Sequence, residues 1–345
     1  VNAMKKNPAN FIPLSPLSFL HRTADVYGQH TSVIYENRAY TWSESRERCV
    51  RIASSLKSYG IKPGDTVSVL AFNTPEMFES HFSIPMAGAI LNTINIRLDA
   101  ATIAYIFDDS NAKMLFVDRE LFAVASEALS MTSVSPKIVV INDSFAESQP
   151  DISSDITDYE SLVVNGDPLY NWQMPDDEWS PLSLSYTSGT TGKPKGVVYH
   201  HRGSYLMSMG TVIGWSLPNH PVYLYSVPLF HCNGWGHAWT MAAIAGTIVC
   251  LRTFAPEKVF NLLEQHNVTH FGGAPIMLNM LANAPKETQK YFEREIKVMT
   301  AGAPPPAKVL ESMMKLGFNV MHVYGLTETY GHILQAAPQA SWLNE

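Results

Sequence analysis

Short runs of β-branched and aliphatic residues alternate with stretches of helical periodicity along most of the chain. TVSVLAF (66–72), MLFVD (114–118) and KIVVI (137–141) are short and almost wholly apolar, so each predicts a buried strand. After the first of them Thr74 is placed as an N-cap, Pro75 as the first helical residue and Gly88 as the stop, because proline suits the first turn of a helix and glycine its end. SLSY (183–186) and GVVYHH (196–201) predict strands on either side of a polar loop, with a looser, acidic, proline-containing stretch (143–181) ahead of them. The alternation continues with strands at YLYSV (223–227), GTIVCL (246–251), VTHF (268–271), IKVMT (296–300) and FNVMHVY (318–324). Helical patterns over about 256–266, 275–283 and 304–316 separate the later ones.

Strands that alternate with helices imply mostly parallel sheets covered on both faces, hence an α/β fold. The stretch 143–181 suggests an approximate division into a first α/β region, 1–180, and a second, 181–345. In open α/β sheets ligands sit beyond the carboxyl ends of the strands. Four polar or glycine-rich stretches fall at such ends, 187–196, 230–237, 301–304 and 325–328, and their convergence would make one site.

Composition narrows the partners. The 345 residues are 46% hydrophobic and 16% charged, which suits a globular enzyme and not a disordered chain. A net charge of −7 provides no basic footprint, so no nucleic-acid partner is expected, and polyanionic substrates would need a local site. The N-terminal VNAMKKNPANFIPLSPLSFL is broken by prolines and lacks the apolar core of a signal peptide. WTMAAIAGTIVCL (239–251) is too short to span a bilayer and predicts a buried segment. Cys49, Cys232 and Cys250 are widely spaced and form no CxxC pair, which suits a reducing compartment, and the cytoplasm is the expected location. His200 and His201 are adjacent and Cys232 with His237 lacks zinc-finger partners, which argues against a Cys/His metal cage.

The loop TSGTTGKPKG (187–196) combines hydroxyls, three glycines and two lysines. Glycines let backbone N–H groups approach an anion closely, and Lys193 and Lys195 add charge. A nucleotide P-loop needs its lysine followed by Ser or Thr and then a helix, whereas Lys193 is followed by Pro194 and a strand-like run. Composition alone also allows a plain hairpin turn here.

The residue order decides between these readings. YTSGTTGKPKG (186–196), PLFHCNGW (228–235), TAGAPPP (300–306), VYGLTETYG (323–331) and the stretch 73–98 together resemble the adenylate-forming (AMP-binding) superfamily, in order and over nearly the whole chain. Within it the chain is similar to medium- or short-chain acyl-CoA synthetases, methylmercaptopropionate-CoA ligases and plant-type acyl-activating enzymes. The resemblance implies the large N-terminal domain of such enzymes, two sandwiched α/β subdomains with mostly parallel sheets. Relatives carry a further small C-terminal domain with a catalytic lysine, so this chain is expected to be that large domain cut short and nearly inactive alone.

The reaction so implied is an acid–thiol ligation. ATP and Mg2+ convert a carboxylic acid to acyl-AMP, and CoA, as co-substrate, takes the acyl group. By resemblance, Thr187, Ser188, Gly189, Thr190, Thr191 and Gly192 hold the phosphates, with Lys195 following the leaving pyrophosphate. Thr187 and Glu328 are the expected metal ligands, and Thr327 donates to the α-phosphate. Tyr324 lies against adenine, framed by Gly302, Ala303, Pro304 and Gly325. His231 orients the carboxylate or gates its pocket, and Trp235, Gly236 and Gly302 shape the acyl pocket. Lys195, His231, Thr327 and Glu328 are thus the expected catalytic residues. Taken alone, Glu328 would equally suit a helix start and Trp235 a core position.

PLFHCNGW contains no carboxylate to pair with an amino acid's ammonium, whose unpaired burial would be costly. A plain acid of fatty or methylthio-propionate type is therefore expected, and the bulk of Trp235 favours short or medium length. Loading of a carrier protein instead of CoA, or a non-catalytic nucleotide-binding role, are the competing readings. The resemblance leaves a homodimer open.

Overall fold

The computed structural model describes residues 5–187, 192–337 and 339. In chain order its strands are β1 (Thr31–Tyr35), β2 (Arg38–Thr41), β3 (Thr66–Leu70), β4 (Ile90–Thr93), β5 (Ala112–Asp118), β6 (Lys137–Ile141), β7 (Thr157–Asp158) and β8 (Pro181–Tyr186). There follow β9 (Gly196–His200), β10 (Val222–Tyr225), β11 (Thr247–Cys250), β12 (His270–Gly273), β13 (Ile296–Thr300), β14 (Phe318–Leu326) and β15 (Gly331–Gln335). They form a seven-stranded sheet, β7-β6-β5-β3-β4-β8-β9, and an eight-stranded sheet, β15-β14-β13-β12-β10-β11-β1-β2. Pairing is parallel except for β1–β2, β8–β9 and β14–β15. The mixed α/β fold with mostly parallel sheets is as expected.

The chain crosses between sheets twice. β1 and β2 precede the seven-stranded sheet yet pair into the eight-stranded one, where β1 lies parallel to β11. The division placed near residue 180 falls within the seven-stranded sheet, whose last two strands run on to His200.

The helix Pro75–Met86 starts where the sequence places it, with Thr74 extended and Pro75 in the first turn. All twelve of its residues are buried, and it touches β1 of one sheet and β3 of the other. Its polar side chains must therefore find partners inside the protein. Glu76 accepts from Arg38 at 2.6 Å, and Glu79 accepts from Arg48 at 2.6 Å and from the Tyr159 hydroxyl at 3.0 Å. His81 bonds the Met77 carbonyl at 2.8 Å through Nδ1.

Some expected elements are cut differently. The apolar run 239–251 is not one segment: the helix His237–Ala243 ends, Ala245 turns with φ 51°, and β11 follows. The strand expected to reach His201 stops at His200, where the imidazole accepts from the Gly203 N–H at 2.8 Å and caps the helix His201–Gly214. The looser stretch 143–181 holds β7 and the helix Tyr159–Asn165.

A buried ion cluster joins the two sheets. Arg252, just past β11, reaches Asp118 at the end of β5 at 2.7 and 3.0 Å, Glu120 at 2.7 Å and Asp143 at 2.9 Å. The Tyr35 hydroxyl donates to Asp143 at 2.6 Å, and the guanidinium lies 4.0 Å from the Phe72 ring centre. Removing one member of a buried ionic group strands the others in low dielectric. Arg252→Leu is therefore expected to lower stability by about 3–5 kcal/mol. The urea midpoint measures this, and an unchanged midpoint would show that the sheets do not depend on the cluster.

Candidate active site

β10, β12, β13 and β14 are successive parallel neighbours, so their carboxyl ends open on the same edge. A cleft of about 790 Å3 lies there. Phe230, His231, Cys232 and Trp235 line it after β10, Ala301 and Gly302 after β13, and Gly325, Leu326 and Thr327 at the end of β14. Asn95 and Arg97 come from the seven-stranded sheet's side, and Ile276 and Met277 supply apolar wall. Three of the four stretches singled out in the sequence thus converge, through His231, Trp235, Gly302, Gly325 and Thr327.

The fourth stretch is the turn of the β8–β9 hairpin. The Thr187 N–H donates to the Lys195 carbonyl at 3.0 Å, and the Lys195 N–H reaches Thr187 Oγ1 at 3.4 Å. Ser188, Gly189, Thr190 and Thr191 lie outside the described residues. Gly192 and Lys195 are exposed, and Lys193 sits 5.1 Å from the Tyr105 ring centre. The described ends of this segment are those of a β-hairpin.

The segment after His231 has an unusual backbone. Cys232, Asn233, Gly234, Trp235 and Gly236 have φ of 47°, 41°, 62°, 58° and 72°, five left-handed residues in succession. For residues with a side chain that conformation costs about 1–2 kcal/mol each, so the surroundings must enforce it. Asn233 is fully buried, donating to Thr93 Oγ1 at 2.9 Å and accepting from Ser183 Oγ at 2.6 Å. The Gly234 N–H donates to the His231 carbonyl at 2.8 Å, and the Tyr225 hydroxyl donates to the Gly234 carbonyl at 2.7 Å. A Cβ at Gly234 would lie 2.3 Å from that hydroxyl oxygen, so glycine is required on both counts. The turn leaves the Trp235 indole half-buried at the cleft wall, while Gly236 is buried beneath it.

His231 is open to solvent through the cleft, yet the surrounding walls still hold its pKa below the usual imidazole value. Behind Trp235, His237 is fully buried against the Tyr223 hydroxyl at 2.7 Å, and burial pushes its pKa down to about 3. Cys232 Sγ lies 3.3 Å from Thr327 Oγ1, and burial raises the thiol's pKa, keeping it protonated.

The remaining expected residues are at the rim. Glu328 is exposed in the short 3-10 turn Thr327–Thr329, and Tyr324 is exposed on β14 opposite Leu334 of β15. Ala303 and Pro304 are exposed beyond Gly302, in the turn before the helix Ala307–Lys315. Among the described residues no group of three or more His, Cys, Asp or Glu could cage a metal. Glu328, with no ion pair among those residues, fits the sparser protein ligation of magnesium, which keeps water and substrate oxygens in its shell. Sequence reasoning did not single out Cys232 or Asn233, because their contacts with Thr327 and Thr93 span more than ninety residues, nor Arg97, whose place at the cleft wall depends on the packing of the two sheets.

The AMP-binding enzyme family model matches residues 20–344, so the chain belongs to that family. It is 46% identical over 347 residues to a 2-methylpropanoate–CoA ligase of Humulus lupulus, covering 98% of this chain and 62% of that protein. It is 42% identical over 353 residues to a peroxisomal acetate/butyrate–CoA ligase of Arabidopsis thaliana, covering 99% and 62%. The chain thus spans 62% of the length of these relatives. Its fold matches the N-terminal domain of FACL13 from Mycobacterium tuberculosis with a TM-score of 0.81 at 22% identity, over 93% of this chain and 78% of that one. No helix of the described residues is long and apolar enough to cross a membrane.

Buried neutral histidines give the protein an acid-sensitive fold. Burial lowers the pKa of His81, His201 and His270 to about 4, and of His237 to about 3. Between those values and the ordinary imidazole pKa of about 6.5, the unfolded chain binds protons that the folded chain refuses. Stability is therefore full above that window and falls as pH drops through it. Glu79 and Asp118, whose carboxyl pKa values burial pushes up, oppose this, while His231, His266 and His332, also held below the usual imidazole value by burial, add to it. Stability is expected to be lower at pH 5 than at pH 7.5 by on the order of 3 kcal/mol. Urea midpoints at the two pH values check this, and a flat profile would mean that these histidines are not held neutral.

Proposed function

We propose that the protein to which this chain belongs is an AMP-forming acyl-CoA ligase acting on a short-chain carboxylic acid. The observation that carries the reading is the meeting of the His231–Trp235 turn, the Gly302 turn and the Gly325–Thr327 strand end at one cleft, in a member of the AMP-binding family. Two relatives of more than 40% identity are named for 2-methylpropanoate and for acetate/butyrate, which supports a short acid. The Ile276, Met277 and Trp235 wall suits an apolar acyl group, and among the described residues no Asp or Glu lines the cleft to pair with an ammonium.

On this reading the first step is in-line attack of the carboxylate on the α-phosphorus of ATP, where positioning and charge neutralisation dominate. The loop from Thr187 through Gly192 to Lys195 binds the phosphates, and Thr327 donates its hydroxyl to the α-phosphate. Gly302, Ala303, Pro304, Tyr324 and Gly325 receive the adenine. Mg2+, held by Glu328 and Thr187, would supply neutralisation of phosphate charge. Neutral His231 orients the carboxylate through an N–H without protonating it, so the nucleophile keeps its charge. Arg97 adds positive potential at the wall of an otherwise acidic protein. CoA then takes the acyl group and AMP leaves. A reducing compartment suits the three free, buried cysteines, either the cytoplasm or a peroxisome.

The test is pyrophosphate release by the full-length protein, with acids from propionate, 2-methylpropanoate and methylthiopropionate to decanoate and cinnamate, with and without CoA. Acid-dependent release that turns over only with CoA, best with the short acids, is expected. Binding of Mg-ATP without release for any acid would overturn the assignment, and turnover with a carrier protein in place of CoA would change the acceptor. Trp235→Ala, which deepens the pocket, is expected to shift the ratio of hexanoate to butyrate kcat/KM by about 10-fold or more toward hexanoate. An unchanged ratio would remove Trp235 from the pocket's end wall.

A further inference from the structure

We infer that Tyr199 is a positioning residue that locks the Thr327–Thr329 turn to the hairpin carrying Lys195, so that both halves of the nucleotide site are held as one piece. The inference rests on the proposed function for the roles of Thr327 and Lys195. Its geometry does not.

β9 begins one residue after Lys195, and Tyr199 lies four residues from that lysine on the inward face of the strand. It is 1% exposed, whereas its neighbour Val198 is 52% exposed. The Tyr199 hydroxyl donates to the Thr327 carbonyl at 2.6 Å. Its ring stacks on Tyr330, with centroids 4.4 Å apart and planes at 21°. The Tyr330 hydroxyl in turn accepts from the His200 N–H at 3.1 Å. Two successive hairpin residues therefore grip both ends of the turn.

The turn needs such a grip. Tyr330 is left-handed, with φ 64°, a conformation a bulky side chain adopts only when its surroundings impose it. Gly203 makes the room: a Cβ there would lie 2.5 Å from Tyr330 ring atoms. From the other side, Cys232 Sγ approaches Thr327 Oγ1 at 3.3 Å. A protonated thiol can donate to that oxygen and leave the Thr327 O–H free to point at an anion. A phenylalanine would fill the space of Tyr199 equally well, so the hydroxyl's specific contribution is the bond to Thr327.

The experiment uses the full-length protein carrying Tyr199→Phe, and separately Gly203→Ala, which pushes Tyr330 from the opposite side. Four quantities are measured: Mg-ATP affinity by calorimetry, kcat and KM of acid-dependent ATP–pyrophosphate exchange, KM for the acid, and Tm. Tyr199→Phe is expected to weaken Mg-ATP binding or lower the exchange kcat by on the order of 10-fold, with Tm and the acid KM nearly unchanged. Gly203→Ala should reproduce the loss, and the double variant should lose less than the product of the two. Wild-type affinity and kcat in Tyr199→Phe would overturn the inference, as would a loss that only follows a fall in Tm. If the wild type shows no exchange with any acid, the proposed function fails, and the inference is decided by Mg-ATP affinity alone. It stands if Tyr199→Phe weakens binding and falls if it does not.

Discussion

Two buried asparagines fasten the segment Tyr225–Gly236 of the eight-stranded sheet to the seven-stranded one, and the cleft exists because of them. Asn73, three residues past β3, donates to the carbonyls of Tyr225 and Val227 at 2.8 and 2.9 Å and accepts from the Leu229 N–H at 2.8 Å. Asn233 is held between Thr93 and Ser183 in the same manner. An amide side chain buried with its partners in place gains little net energy per bond, but losing one partner leaves an unsatisfied polar group in the interior. The five left-handed residues after His231 have an enforced shape for that reason, and His231 and Trp235 take their positions from it.

Charge plays a second, coarser part in the same junction. Arg252 with Asp118, Glu120 and Asp143, Arg38 with Glu76, and Arg48 with Glu79 place guanidinium–carboxylate pairs in or near the interior. Such pairs add modest net stability, but they tolerate few alternative arrangements, which ties the two sheets in one register. The interior histidines have the opposite character, kept neutral by burial and sensitive to acid. A net charge of −7 provides no overall field to attract a polyanion, so any such ligand would depend on local groups.

Strand and helix alternation was legible because a short apolar run between turn signals has room for a buried strand and not for a buried helix. The helix from Pro75 and the strands around 66–72, 114–118 and 137–141 appear where expected. The β1–β2 hairpin was not legible: RAYT of β2 is short and mixed in polarity, and the other neighbour of β1, β11, lies two hundred residues away. Within the 239–251 run the strand at its end was legible from its β-branched residues, whereas the short helix before it was not, because a buried helix shares its composition and only the turn at Ala245 divides the two.

By itself the sequence determined the α/β class, the family, and the stretches that meet at the cleft, because residue type and order set local conformation and chemical capacity. Tertiary structure alone decided which residues confront one another: Asn233 with Thr93, Tyr199 with Thr327, and Cys232 beside the same threonine. Those contacts join positions 95 to 140 residues apart, and no local pattern encodes them. They follow from how two sheets pack when buried polar groups must all be satisfied.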